Sequence, residues 1–219
     1  MIIHQPLANL ALASLALSIL SALVIAIDIG AGRRQAMKIM EITWPVTALY
    51  MGPLVFVFYF WFGRAPRPAD PKPRKPMWQK VFMSSTHCGG GCTLGDLGSD
   101  ILRYLTAAGS SLFMAYLSDF SAAYVLGVWF QYLPIRADRG LSRREAFIAA
   151  VKADTLSLLA FEVGLFLWMA LVQKVWFGPG LTAANPVFWF LMQVGMNVGF
   201  VTTYPVNWAL VRSGVKGGI

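Results

Sequence analysis

Charge is what this chain has least of. Of its 219 residues, 13% are Asp, Glu, Lys or Arg, about half the ~25% of an ordinary soluble domain. With 57% hydrophobic residues beside that deficit, a soluble globule is excluded and a polytopic membrane protein is implied. Cysteine is almost as scarce. Two residues, Cys88 and Cys92, cannot make a secreted disulfide scaffold, so their spacing leaves metal, redox or packing roles. Lys and Arg are missing from the first six residues, and the apolar run Pro6–Ile27 is too long for a signal h-region. The N-terminus therefore reads as a retained helix rather than a cleaved leader. Acidic residues are fewer than basic ones, 10 against 18, for a net charge of +8. Those basic residues fall in loops between apolar runs, which is the pattern that orients membrane proteins and not a nucleic-acid surface.

What the chain does have is apolar length. Leu7–Ile29, Thr43–Phe62, Leu112–Ile135, Ala149–Val172 and Pro186–Val211 each approach or exceed the ~20 residues that cross a hydrocarbon core. Between the second and third lies a basic, Pro-rich stretch, Gly63–Lys80, with Arg64, Arg67, Lys72, Arg74, Lys75 and Lys80. Repeated proline breaks the helical ladder, so this is an extended loop. If Cys92–Ser111 also crosses, that loop, the basic loop Arg136–Arg144, Arg212 and Lys216 all share one face. Only Arg33, Arg34, Lys38 and Lys174 fall opposite. The positive-inside rule therefore favours an all-α bundle of six transmembrane helices (five if Cys92–Ser111 does not span), with both termini cytoplasmic. The implied organisation is a two-helix hairpin over 1–62, a cytoplasmic linker over 63–84 and a four-helix membrane domain over 85–219. The eight Trp residues mostly fall near predicted span ends, as interfacial belts do. His4 reads as a solvated terminal residue.

The chemistry concentrates in one string, His87-Cys88-Gly89-Gly90-Gly91-Cys92-Thr93-Leu94-Gly95-Asp96. Cys88, Cys92, Asp96 and Asp100 recur every four residues, which puts them on one helical face. Three consecutive glycines each cost about 1 kcal/mol inside a helix. They predict a pliant lead-in, with Cys88 on a turn and Cys92 near a helix start at the cytoplasmic mouth. Thiolate, imidazole and carboxylate together suit copper, zinc or iron. Farther along, Asp154 and Glu162 lie eight residues apart on one predicted helix. Glu162, between Phe161 and Val163, needs a partner, a proton or a ligand. His87, Cys88, Cys92, Asp96, Asp154 and Glu162 form the candidate metal set. Four further expectations are structural. Asp100 pairs with Arg103, Asp119 is a solvated helix end, and Asp154 is alternatively neutralised by Lys152 or a basic loop. Gln193, Asn197 and Tyr204 follow one face and bond across helices.

The string from His87 to Asp96 resembles the signature of a bacterial and archaeal membrane-protein family known only as a domain of unknown function. Gly127-Val128-Trp129-Phe130-Gln131-Tyr132, Lys152-Ala153-Asp154-Thr155-Leu156-Ser157 with Phe161-Glu162-Val163-Gly164, and Gly199-Phe200 with Tyr204-Pro205-Val206-Asn207-Trp208 extend the likeness from Thr86 to about Lys216. Arg103 and Gly98-Ser99-Asp100 are more polar than the resemblance implies for the third helix. The resemblance implies a multi-pass protein of the bacterial or archaeal cell membrane and carries no activity. Two functions are consistent with the residues. One is a non-enzymatic protein handling a transition metal by transport or delivery. The other is an accessory or assembly subunit of a larger membrane complex, or a homo-oligomer, in the lipid bilayer. A thiol redox enzyme lacks the second Cys pair to relay electrons.

Overall fold

The computed structural model describes residues 5–67, 70, 74–106, 111–178 and 181–217, with backbone alone for 138 and 139. His4, Lys72 and part of the predicted linker lie outside the described residues. Among the described residues the chain is all helix, as its composition requires. Helix α1 is Gln5–Gly30, α2 is Met40–Met51, and α3 is Val55–Phe58, prolonged by a π turn at Tyr59–Gly63. Helix α4 is Met77–Thr106, α5 is Leu112–Arg139, α6 is Arg143–Leu171 with a π turn to Trp176, and α7 is Pro186–Arg212. The stretches Gln5–Gly30, Met40–Gly63, Leu112–Ala137 and Arg143–Trp176 have the length and apolarity to cross a membrane. Helices α4 and α7 have the length, at 30 and 27 residues, but carry the polar residues of the interior. The result is a helical membrane bundle.

The second apolar segment has the length to cross but doubles back. Gly52 ends α2 with φ +58° and ψ −144°, a conformation closed to most L residues. Pro53 then enforces the break. The returning limb brings the Tyr59 ring to 5.3 Å from the Trp44 ring and lays Gly63 flat against Trp44. An unbroken helix would hold Trp44 and Tyr59 about 22 Å apart. Trp44, predicted in an interfacial belt, is instead fully buried at this fold-back. The Gln35 side chain donates to the Gly63 carbonyl at 3.4 Å, while its backbone N–H donates to Glu41 at 3.2 Å. Both ends of the hairpin thus meet at the α1–α2 loop.

A helix broken inside lipid exposes carbonyls that must be satisfied by protein. Gln193 donates to the Leu49 carbonyl at 2.6 Å and to Ser18 Oγ at 2.9 Å, and accepts from Ser14 Oγ at 2.8 Å. Asn197 donates to the Tyr50 carbonyl at 2.8 Å. The predicted amide face of α7 is therefore the cap of the hairpin tip, while Tyr204, farther along that face, bonds across to α4 by donating to the Trp78 carbonyl at 3.0 Å.

These contacts also fix helix directions. Ser14 and Ser18 meet Gln193 near the start of α7. Asp28 near the end of α1 meets Tyr59 at 2.8 Å and pairs with Arg64 at the end of the returning limb, whose Phe62 packs on Trp78 and Phe82 at the start of α4. Tyr204 late in α7 meets the start of α4. So α1 and α7 run parallel and α4 runs against both. The start of α1 and the end of α7 lie at opposite ends of the bundle. This corrects the expectation that both termini share one side: the hairpin removes one crossing and leaves an odd number. It also gathers Arg33, Arg34 and Lys38, the discordant charges of the six-span reading, with Arg64, Arg67, Arg136, Arg143, Arg144, Arg212 and Lys216 at one end.

Helix α4 is the axis. It begins at Met77, so it takes in residues predicted as linker to 84 and starts well before the expected Cys92. The triple glycine is regular helix, not a flexible lead-in. Successive residues point 100° apart, so Gly89, Gly90 and Gly91 open three faces. A Cβ on Gly89 would meet Phe161 and Tyr50 at 3.1 Å, one on Gly90 would meet Thr43 at 2.7 Å, and one on Gly91 would meet the Gly127 backbone at 2.8 Å. Gly91 and Gly95 of α4 lie against Gly127 and Ala123 of α5, a small-xxx-small contact on both partners.

Two outcomes follow from this packing. Gly95→Ala, which drives a methyl into the Ala123 backbone, costs roughly 1–3 kcal/mol as a lower thermal midpoint in detergent; Gly98→Ala, with open space around it, does not. In a Cys88→Ser/Cys92→Ser background, Arg33→Cys and Arg67→Cys react with an impermeant maleimide from the same side of the membrane, and Asn185→Cys reacts from the other. Labelling of the first two from opposite sides would rule out the hairpin.

Candidate functional site

The interior of the bundle is polar where α4 faces α6. Every residue of α4 from Val81 to Thr93 is buried, as are Gly95 and Asp96. His87, Cys88, Cys92, Asp96, Asp154 and Glu162 are each at most 1% exposed. His87, Cys88, Cys92 and Asp96 sit in the middle third of α4, a helix about 45 Å long by rise per residue, not at its mouth as the glycines had suggested, and Asp154 and Glu162 face them from α6. The four-residue series Cys88, Cys92, Asp96, Asp100 does form one face. Because α4 and α6 both run against α5, they run parallel, and their polar residues pair off in order.

The ladder has three levels. At the basic end, His87 faces Asp154 and Lys216. In the middle, Cys92 neighbours Cys88 and Glu162, with the Tyr50 ring beside both thiols. At the far level, Asp96 faces Glu162, Asp100, Asp119 and Arg103. The candidate ligands are therefore spread along the bundle. No three of the His, Cys, Asp and Glu side chains converge on one metal position among the described residues.

The two ends are tied off by fixed cations. Arg103 donates to Asp119 at 2.6 and 3.1 Å, to Ser99 and the Ala115 carbonyl at 3.0 Å, and pairs with Asp100. The Asp100–Arg103 pairing matches the spacing argument. Asp119 does not: it is 4% exposed, a buried partner of Arg103 rather than a solvated helix end. At the other end the cation is Lys216, which the charge count had placed among the basic residues of the cytoplasmic face. Its ammonium donates to Asp154 Oδ1 at 3.1 Å, Ser157 Oγ at 2.9 Å and Asn207 Oδ1 at 3.1 Å. All three of its donors are used. Burial works against the charged amine, but the Asp154 carboxylate outweighs it and holds Lys216 above its ordinary pKa. The sequence signal that could have found it is Asp154 itself, a carboxylate in an apolar helix that needs a cation from somewhere.

Between these ends the polar groups stand alone. Both ring nitrogens of His87, both oxygens of Asp96 and Glu162, and Asp154 Oδ2 make no close hydrogen bond among the described residues; the Phe130 backbone lies near His87 and the Cys92 thiol near Glu162 without full bonding geometry. Buried polar groups are almost always paired, so a run of unpaired ones marks a place where something other than the fold sets the arrangement. Charge leads to the same point. Asp96, Asp100, Asp119, Asp154 and Glu162 are five buried carboxyl groups; among the described residues their ion pairs are with Arg103 and Lys216 alone. The remainder must be met by protons or by other cations, because a bare carboxylate in this medium costs several kcal/mol.

The family match now has a structure to sit on. A family described as Domain of unknown function (DUF4396) matches residues 77–216. The chain belongs to that family. The matched region of this DUF4396 member opens where α4 opens and closes on Lys216, so it contains the whole ladder and leaves out α1 and the hairpin. No curated protein and no solved structure matches the chain.

The end cluster gives a stability test. Arg103→Leu strands Asp100 and Asp119 and costs about 3–5 kcal/mol in unfolding experiments. Adding Asp100→Asn and Asp119→Asn recovers most of the loss; no recovery would mean the arginine acts through packing alone.

Proposed function

We propose that this protein moves a transition-metal cation (copper, zinc or iron) across the cell membrane along the α4–α6 ladder. The observation that supports this reading is that Glu162 and Asp96, two buried carboxyl groups beside the two thiols, have no cation paired with them among the described residues. A protein that stored or delivered an ion would gather its ligands at one point. Here soft thiols and harder oxygens succeed one another along the membrane normal, which suits an ion passed between levels. Cys88 and Cys92 take the soft ligand role, Glu162 and Asp96 supply charge, and His87 bridges toward Asp154.

On this reading the basic end is cytoplasmic by the positive-inside rule. The C-terminal tail is then inside and the start of α1 outside, in the membrane of a bacterial or archaeal cell.

The experiment is metal uptake into proteoliposomes carrying an internal metal-sensing dye. The wild type moves at least one of Cu(I), Zn(II) or Fe(II), and Cys88→Ser/Cys92→Ser and Glu162→Gln each slow it tenfold or more. Absence of movement for all three ions in folded wild-type protein overturns the reading.

A further inference from the structure

We infer that Asp154, Ser157 and Asn207 form a cation-binding mouth at the basic end of the ladder, which the chain's own Lys216 occupies as a tethered competitor of the arriving ion. The cargo assigned to this mouth rests on the transport reading; its geometry does not.

Three oxygens of different kinds converge there from two helices: a carboxylate and a hydroxyl from α6 and an amide carbonyl from α7. The ammonium lies 2.9–3.1 Å from all three, and Lys216 is 2% exposed. The oxygens are themselves held in place. Asn207 donates to Ser85 Oγ at 3.0 Å, and Thr203 donates to the Ser157 carbonyl at 2.6 Å. A set of hard oxygens around one positive charge is what a hydrated metal ion also requires. The carboxylate has a second oxygen, Oδ2, without a partner among the described residues. It lies where a side chain on residue 127 would be: a Cβ on Gly127 would come within 2.9 Å of it. The absence of a side chain there leaves Oδ2 uncovered, while Oδ1 is held by Lys216.

The tail that delivers Lys216 is lightly fixed. After Arg212 it turns at Gly214, whose φ is +75°. Its backbone is held by Gly214 N–H to Val211 O at 3.2 Å and Lys216 N–H to Leu210 O at 3.1 Å. Val215 beside it is 45% exposed. The ammonium is thus the main anchor of its own segment. A cation that displaces it takes over the oxygens and frees the tail in one event, and retraction of the tail opens the route to His87 and the thiols.

The only two cysteines of the chain lie beyond this mouth, so thiol reactivity reports on it directly. The protein is placed in oriented vesicles and a methanethiosulfonate reagent bearing a primary ammonium is added on the C-terminal side. Intact mass then gives the labelling rate of Cys88 and Cys92. The wild type labels slowly, and Lys216→Gln and truncation after Arg212 label at least tenfold faster. Asp154→Asn/Lys216→Gln removes both charges, so no lone carboxylate is left to unfold the protein. It labels faster than wild type but more slowly than Lys216→Gln with the cationic reagent, and equally fast with a neutral one. Equal rates for the wild type and all three variants overturn the mouth. Faster labelling in the variants, with no ion moved by the wild type, overturns the transport reading and leaves the mouth standing.

Discussion

A helix at the centre of a membrane bundle has no face left for lipid, so every face must fit a neighbour. That constraint governs α4, and through it the rest of the fold. In a bilayer, apolar side chains gain little by leaving lipid for protein, and close backbone approach supplies the attraction instead. Glycine permits that approach at a loss of ~1 kcal/mol per residue in helix propensity. Gly89, Gly90, Gly91 and Gly95 accept the loss on three faces at once, toward Phe161, Thr43 and the Gly127–Ala123 edge of α5. The same backbone contacts leave no room to hydrate the helix from outside, so the polar residues on its remaining face are isolated from water and lipid alike.

The hairpin of α2 and α3 follows from the same need. The face of α4 that presents Gly90 requires a partner with a small contact residue, and Thr43 fills that place. The segment then returns to the basic end of the bundle rather than crossing. Its broken tip is affordable in lipid only because Gln193 and Asn197 take up its free carbonyls. With that single reversal the scattered positive charges become consistent: the α1–α2 loop joins the other basic loops.

Much of this was legible in the sequence, and the part that was not has identifiable causes. Apolar length marked α1, α5, α6 and α7; α4 came from the positive-inside count instead and was begun too late, at Cys92 rather than Met77. The helical spacing of Cys88, Cys92, Asp96 and Asp100, the Asp100–Arg103 pair and the bonding role of Gln193 and Asn197 could all be read from local rules. The glycine string misled because propensity is a single-helix property, whereas its value here is set by neighbours that composition does not name. Thr43–Phe62 misled because a hairpin and a span have the same length and apolarity; Gly52-Pro53 was the available signal, and it was outweighed by hydropathy. Lys216 and Asp119 were missed because their partners lie far off in sequence, 62 residues away for Asp154 and 16 for Arg103.

The placement of the fixed cations says what kind of path the ladder could be. Arg103 and Lys216 stand at its two ends, and among the described residues no Lys or Arg forms an ion pair with Asp96 or Glu162 between them, while Lys216 acts on the two thiols only at longer range. A polar interior that served stability alone would place its cations beside its carboxylates throughout, as the Arg103 cluster does, because an unmatched buried charge is costly. Here the centre keeps carboxyl and thiol groups with no cation paired to them, and each end is a closed cluster, Asp154 with Lys216 and Asp100 and Asp119 with Arg103. On the proposed transport reading the centre is where a mobile cation can replace protons, and each end is a contact that must open to let it pass. An open pore needs shallow wells and low barriers for fast passage. A central site behind two closed ion-pair clusters suits, on the proposed transport reading, a carrier in which the ion waits between the thiols and Glu162 until one cluster opens.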